Sequence, residues 1–274
     1  MQVSHTQQRR SAAKPRASTN YKRSVQWVKE HLVAPSSKKQ QLINPINDDY
    51  SQYAQTSILL REHLNRKRDG RYFEASPLIQ LCDAPLKSAI HGALPRSTLV
   101  GAYDGEILSN SLTLELHYNW TGILVEVSPD SFATLQSKHR HAYLLNACLS
   151  NVARPTQAKF YGEHIKDPGV SLRRPPAMRG VASFNATCVP ARAVFDAVGW
   201  YDFDLVIIDV EGHERNVLAS MDWNKMNIQL LQIECNACKH NDVQTSLLLN
   251  LLKKYRYSHV GTIMSLDYIF RKIG

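Results

Sequence analysis

Apolar residues in this chain gather into short unbroken runs, separated by stretches where they recur every three or four positions. "TGILVEV" (121–127) is one such run, rich in β-branched residues, and it predicts a strand. "AYLLNACL" (142–149), "DLVIID" (204–209) and "IQLLQIE" (228–234) predict three more. After the first, Ser128-Pro129 supplies an N-cap and a first-turn proline for a helix over 131–140. "EGHERNVLAS" opens a helix after the third run, and amphipathic spacing predicts another near 243–255. "YSHVG" and "LDYIFRK" predict a closing antiparallel pair. Near-continuous apolar strands alternating with helices belong to a parallel sheet covered on both faces. The expected architecture is therefore α/β: a Rossmann-like, doubly wound, mostly parallel sheet over 70–274 with a C-terminal antiparallel strand pair. Ahead of it, 25–69 predicts a mostly helical region broken at Pro35 and Pro45. Residues 1–24 show no such pattern and read as a disordered basic tail.

Charge sharpens that boundary. Of 33 Lys and Arg, seven precede Glu30, the first acid, which leaves 26 basic against 24 acidic residues elsewhere. The folded part is thus not a nucleic-acid binder by charge, and nucleic acid is disfavoured as a partner. A polar arm buries little, so deleting 1–24 is expected to leave the melting temperature nearly unchanged. A transit peptide and a nucleic-acid arm are the other readings of this acid-poor segment. No run of 18 apolar residues offers a transmembrane segment, and no apolar h-region marks a signal peptide. A cytoplasmic location is favoured on that ground, with endomembrane and organellar ones left open. Five cysteines, an odd count, argue against a full disulfide framework, and Cys235-x-x-Cys238 reads as two ordinary thiols. Asn119-Trp-Thr and Asn185-Ala-Thr are sequons that matter only in the secretory pathway. "RKR" (66–68) and "RRPPAMR" (173–179) read as solvated basic loops, and His139 and His141 as surface residues.

The candidate chemistry stands at strand ends. In "VIIDVEGHERNVL" (206–218) a core strand runs into Asp209, Glu211, His213 and Glu214. Carboxylates avoid a core unless paired, but doubly wound sheets present their ligands at the carboxyl ends of strands. "VGAYDGE" (100–106) brings glycines to another strand end, where backbone can approach a ligand closely. Glu126 ends the next strand about 20 residues on, where a carboxylate can grip both hydroxyls of a ribose. Acids in a first helical turn are also favoured by the helix dipole alone, which is the plain reading of Glu214.

Together these stretches carry a resemblance. "GAYDGEILSNSLTLE" (101–115), "NWTGILVEVSPDSF" (119–132), "HAYLLNACLS" (141–150) and "DLVIIDVEGHERNVL" (204–218) resemble the FkbM-type methyltransferase family, most of all its animal, Star-like branch. The resemblance implies a class I methyltransferase fold and S-adenosylmethionine as cofactor. It implies that Gly101, Ala102, Asp104 and Gly105 line the methionine and ribose side, that Glu126 binds the ribose, and that Asn146 and Ala147 lie near the adenine. Asp209, Glu211 and His213 would face the acceptor, with Asp209 or His213 as base. Oxygen ligands at Asp209 with Glu211 or Glu234 would also suit magnesium, although no metal is assigned.

One departure matters. The family places a Glu two positions before the first loop glycine, and here that position is Leu99. "GRYFEA" (70–75) lies about 25 residues earlier, and joining it to Gly101 restores the family motif "GRYFEAGAYDGE". Residues 76–100 therefore read as an insertion, with Glu74 as the cofactor-side carboxylate. Either "STLV" (97–100) replaces the native strand and displaces Glu74, or the segment is foreign to the fold, as a translated intron would be.

Two functions follow from the resemblance. One is S-adenosylmethionine-dependent O-methyl transfer to a small-molecule or glycan-like acceptor, its specificity set within 155–190. The other is a non-catalytic, Star-like protein that uses the fold to bind a protein partner in endomembrane trafficking or signalling. A nucleic-acid 2′-O-methyltransferase is a distant third, motivated only by the basic tail.

Overall fold

The computed structural model describes residues 18–40, 69–76, 102, 104–106, 109–162, 182–210, 212–238, 241–263 and 267–274. In chain order the elements are α1 (Thr19–His31), β1 (Arg71–Ser76), α2 (Leu112–Tyr118), β2 (Thr121–Glu126), α3 (Pro129–Ser137) and β3 (Ala142–Asn146). Next come β4 (Cys148–Leu149), β5 (Thr156–Gly162), β6 (Ala182–Val189), α4 (Ala191–Val198), β7 (Asp202–Ile208) and α5 (Glu214–Ala219). Strand β8 (Asn227–Glu234), helix α6 (Asp242–Lys254) and strands β9 (Tyr257–Ile263) and β10 (Asp267–Lys272) complete the chain.

Seven strands form the main sheet in the order β3-β2-β1-β7-β8-β10-β9. The first five run parallel, and β10 is antiparallel to both its neighbours. This is the expected mostly parallel α/β sheet with its antiparallel C-terminal pair. The chain winds outward from β1 through β2 to β3, then returns to β7 beside β1. The topological switch point, where such sheets bind ligands, is therefore the crevice between β1 and β7.

Strand β1 is "RYFEAS", pairing Glu74 with Leu124 on one side and with Ile207 on the other. The alternative in which "STLV" displaces this strand is thereby corrected: Tyr72, Phe73 and Glu74 are fully buried in the middle of the sheet. The residues 77–100 that follow, Leu99 among them, lie outside the described residues.

Alternating side chains divide between two layers. One face carries Phe73, Val125, Val206, Ile208, Leu231 and Phe270 against Val28 of α1, Phe195 of α4, Val217 of α5 and Leu252 of α6. The other carries Tyr72, Leu124, Leu144, Ile207, Leu230 and Ile269 against Leu114 of α2 and Leu135 of α3. Among the described residues, no helix is long and apolar enough to cross a membrane.

Three expectations need correction. The run 142–149 is not one strand: the main sheet ends at Asn146, and Cys148–Leu149 pairs with β6 in a separate three-stranded sheet, β4-β6-β5. The cysteines are not ordinary thiols. Cys148–Cys188 and Cys235–Cys238 are disulfides, and Cys82 lies outside the described residues. Helix α1 begins at Thr19, inside the segment expected to be a tail. Ser18 caps it by accepting from the Tyr21 N–H at 3.2 Å. Tyr21, Val25 and Val28 turn inward at helical spacing, while Lys22, Arg23 and Lys29 stay in solvent. The Tyr21 hydroxyl donates to Asp196 and to the Arg192 carbonyl at 3.2 Å, beneath the Arg192 guanidinium. Burial, then the Asp196 hydrogen bond, push the phenol well above its usual range. Deleting residues 1–24 should therefore lower the melting temperature measurably. Tyr21 is half-buried, so losing its packing and its hydrogen bond to Asp196 costs about 1–2 kcal/mol, and a domain of this size loses roughly 2–4 °C per kcal/mol. An unchanged thermal melt would show that this half of α1 adds nothing to the fold.

The expected helical region continues through residues 41–68, which with "RKR" (66–68) and "RRPPAMR" (173–179) lie outside the described residues.

Candidate active site

Strand register lines up one row of polar residues across the carboxyl edge of the main sheet. Asn146 pairs with Glu126, and Glu126 with the Ser76 position. Ala75 pairs with Ile208 and Ile208 with Ile233, so the next positions, Ser76, Asp209 and Glu234, stand level. Glu234 pairs with Asp267. Residues in register share a face. Asn146, Glu126, Asp209, Glu234 and Asp267 thus project to the side carrying Leu144, Leu124, Ile207 and Ile269, with Glu74 one step deeper. Exposures of 2% for Glu126, 4% for Asp209, 3% for Glu234 and 6% for Asp267 put this row inside the protein.

Within this row, Asp209 and Glu234 share a side-chain hydrogen bond. Burial, with the charges of Asp267 and Glu214 nearby, pushes Glu234 up to about 7 despite that bond. Asp267 is pushed up to about 6 by burial, and accepts from Gln232 Nε2 at 3.3 Å. Two carboxylates side by side in a dry site cannot both ionise readily, so the pair holds a proton to near neutrality. Sequence reasoning set Asp209 with Glu211 or Glu234 only as oxygen ligands for magnesium; pairing of β7 with β8 brings Asp209 level with Glu234 as a carboxylate pair. Among the described residues, no group of three His, Cys, Asp or Glu side chains is set to hold a metal ion.

His213 and Glu214 serve the turn between β7 and α5. Glu214 Oε1 accepts from Gly212 N at 2.8 Å and Val210 N at 3.3 Å, the helix-start role expected of it. Burial still pushes its carboxyl above the usual range. His213 stands at the N-cap of α5, half-buried, with Nδ1 3.4 Å from Asn216 Nδ2. Glu211 lies outside the described residues.

At the end of β2, Glu126 Oε1 accepts from Ser128 N at 2.7 Å. Asn146 Nδ2 donates to the carbonyls of Glu126 and Val127 at 2.8 and 3.1 Å, and Ala147 N donates to the Glu126 carbonyl at 3.1 Å. Asn146 and Ala147 are thereby tied to the end of β2. In the glycine loop, Ala102 is fully buried, Gly105 N donates to its carbonyl at 2.6 Å, and Asp104 Oδ1 accepts from Glu106 N at 2.9 Å. Gly105 has φ +77°, and an added Cβ would sit 2.4 Å from Leu135 Cδ1, so the turn demands glycine. Gly101 lies outside the described residues.

Glu74 is fully buried, accepting from the Ser111 hydroxyl and from Asn110 N at 3.4 Å. Its pKa is raised by burial, against the lowering effect of Ser111. It anchors the start of α2 to β1.

The largest element missed from sequence is Arg140. Its guanidinium is fully buried and forks onto Glu115, with Nε to Oε2 and Nη2 to Oε1 both at 2.9 Å. It also donates to Ser111 Oγ at 2.9 Å, Ser109 Oγ at 3.1 Å and the Gly105 carbonyl. Tyr72 donates to the same Glu115, and Lys138 pairs with Glu106. The glycine loop is held from behind by this cationic clamp.

No curated protein matches the chain. The Methyltransferase FkbM domain matches residues 100–259, more than half the chain and including Asp104, Glu126, Asn146, Asp209, Glu234 and the Arg140 clamp. With the mostly parallel sheet and its carboxylates at the switch point, that match shows that the chain belongs to the FkbM methyltransferase family.

Proposed function

We propose that this protein is an S-adenosylmethionine-dependent O-methyltransferase acting on a small-molecule or glycan-like hydroxyl. The observation that carries the reading is the in-register row Asn146, Glu126, Asp209 and Glu234 spanning the switch point. A donor set of one strand-end carboxylate and a tight glycine turn suits a nucleoside without a pyrophosphate. Glu126 holds the ribose hydroxyls, Asn146 and Ala147 flank the adenine, and Gly101, Ala102, Asp104 and Gly105 leave room for the methionine portion, with Glu74 bracing α2 behind them. When bound, S-adenosylmethionine supplies an electrophilic methyl on a sulfonium. The Asp209–Glu234 pair orients the acceptor hydroxyl and takes its proton as the oxygen attacks in line. His213, at the N-cap of α5, borders the acceptor, and Glu211 is a further acceptor-facing candidate by the family resemblance.

Calorimetry with S-adenosylhomocysteine should give saturable binding. Glu126→Ala should weaken it by about 1.5–3 kcal/mol, the loss of a charged hydrogen-bond partner. If the folded protein gives no heat at millimolar ligand, cofactor binding is lost as a reading. The Star-like, partner-binding role would then take its place.

A further inference from the structure

Four cysteines and two asparagines stand outside the chemistry of the site. Cys148 and Cys188 occupy paired positions of adjacent strands β4 and β6, both buried, and are joined. Cys235 and Cys238 are joined across one 3₁₀ turn directly after Glu234. Disulfides persist in oxidising compartments and are rare where glutathione and thioredoxin keep thiols reduced. The same compartments attach N-glycans to Asn-x-Ser/Thr.

A sequon alone decides nothing, since chance supplies it easily. Position decides whether the folded protein can carry the sugar. Asn119 is exposed at the left-handed C-cap of α2, φ 57°, just ahead of the first residue of β2. It sits at the amino edge of the sheet, opposite the carboxylate row. Its Nδ2 donates to Asp69 Oδ1 at 2.6 Å. A glycosylated amide keeps one N–H, so that bond survives attachment. Asn185 is exposed on β6, across from Lys159. Its sequon partner Thr187 projects to the same face and accepts from Gln157 Nε2 at 2.8 Å, on the outer side of the small sheet. Among the described residues, neither asparagine packs in a core cluster and both are exposed, so a glycan at either unpacks none of those clusters.

We infer that this chain folds in an oxidising, glycosylating compartment, with Cys148–Cys188 and Cys235–Cys238 closed and Asn119 and Asn185 as N-glycan acceptors. The inference is independent of the acceptor proposed above, and it replaces the cytoplasmic location expected from the missing h-region.

The test uses protein isolated from its own cells and trapped at once with N-ethylmaleimide. Peptide mapping before and after reduction reports the cysteines. Digestion with peptide-N-glycosidase converts a glycosylated Asn to Asp and reports the acceptors. Expected are Cys148, Cys188, Cys235 and Cys238 alkylated only after reduction, and conversion at Asn119, Asn185 or both. Substituting the converted residue, as Asn185→Gln, should then remove one glycan step in mobility. Alkylation of these cysteines without reductant overturns the inference, and so does finding both asparagines wholly unmodified.

Discussion

Arg140→Met should lower stability by about 3–5 kcal/mol, the cost of leaving a buried charge without its partner. Glu115 has no exposed side-chain surface, so loss of the guanidinium strands its carboxylate beside Tyr72 and near Glu74. Ser109, Ser111 and the Gly105 carbonyl lose donors in the same step. At roughly 2–4 °C per kcal/mol, the melting temperature should fall by on the order of 10 °C. Arg140→Lys should recover little, because an ammonium cannot reproduce a two-nitrogen fork onto one carboxylate. Arg140→Met combined with Glu115→Gln should be more stable than Arg140→Met alone, since the stranded charge goes with it. Thermal melts of the four proteins check this. If Arg140→Met melts with the parent, the clamp contributes nothing to stability.

Asp209→Asn should cut turnover by about 10²–10⁴-fold, the range for loss of a positioned general base. Glu234→Gln should act differently. With its carboxyl pushed up to about 7, Glu234 should make turnover in the parent rise with pH to a half-maximum near neutrality, as the pair gives up its shared proton. A glutamine carries no competing charge, so Asp209 would ionise more easily and the profile should move to lower pH. The same substitution has a stability signature. Glu234 is raised from 4.5 to about 7 in the folded state, so between those values the folded chain holds a proton that the unfolded chain has released. Its contribution is complete below pH 4.5 and is lost as pH rises through about 7. At about 1.4 kcal/mol per tenfold change in proton affinity, that is roughly 3–4 kcal/mol at most. Asp267, pushed up to about 6, acts in the same direction. Glu234→Gln should therefore flatten the decline in stability between pH 4.5 and 7. A turnover profile and a pH–stability curve indistinguishable from the parent's would remove Glu234 from the pair.

By itself, the sequence determined the parallel sheet and where its chemistry had to sit. "TGILVEV" and "DLVIID" are apolar on both faces, which only a strand covered by two layers tolerates, and each carries an acid, Glu126 and Asp209, at its carboxyl end. Glu126 and Asp209 were legible for that reason, as were the helix after Ser128-Pro129 and the closing antiparallel pair. Strands β5 and β6 were not, because polar residues such as Gln157, Lys159, Ser183 and Asn185 interleave with their apolar ones and face solvent, leaving no long apolar run. Tertiary structure alone decided the rest. "GRYFEA" is central because it pairs with β2 and β7, whatever separates it from its glycine loop. Glu234 became Asp209's partner through register between strands whose local sequences say nothing of each other. Cys148 met Cys188 when the chain left the main sheet after Asn146. Arg140, in "KHRH" (138–141), looks like any solvated base in the sequence. It is buried because Glu115, Ser111 and Gly105 converge on it from elements that touch only once the sheet has closed.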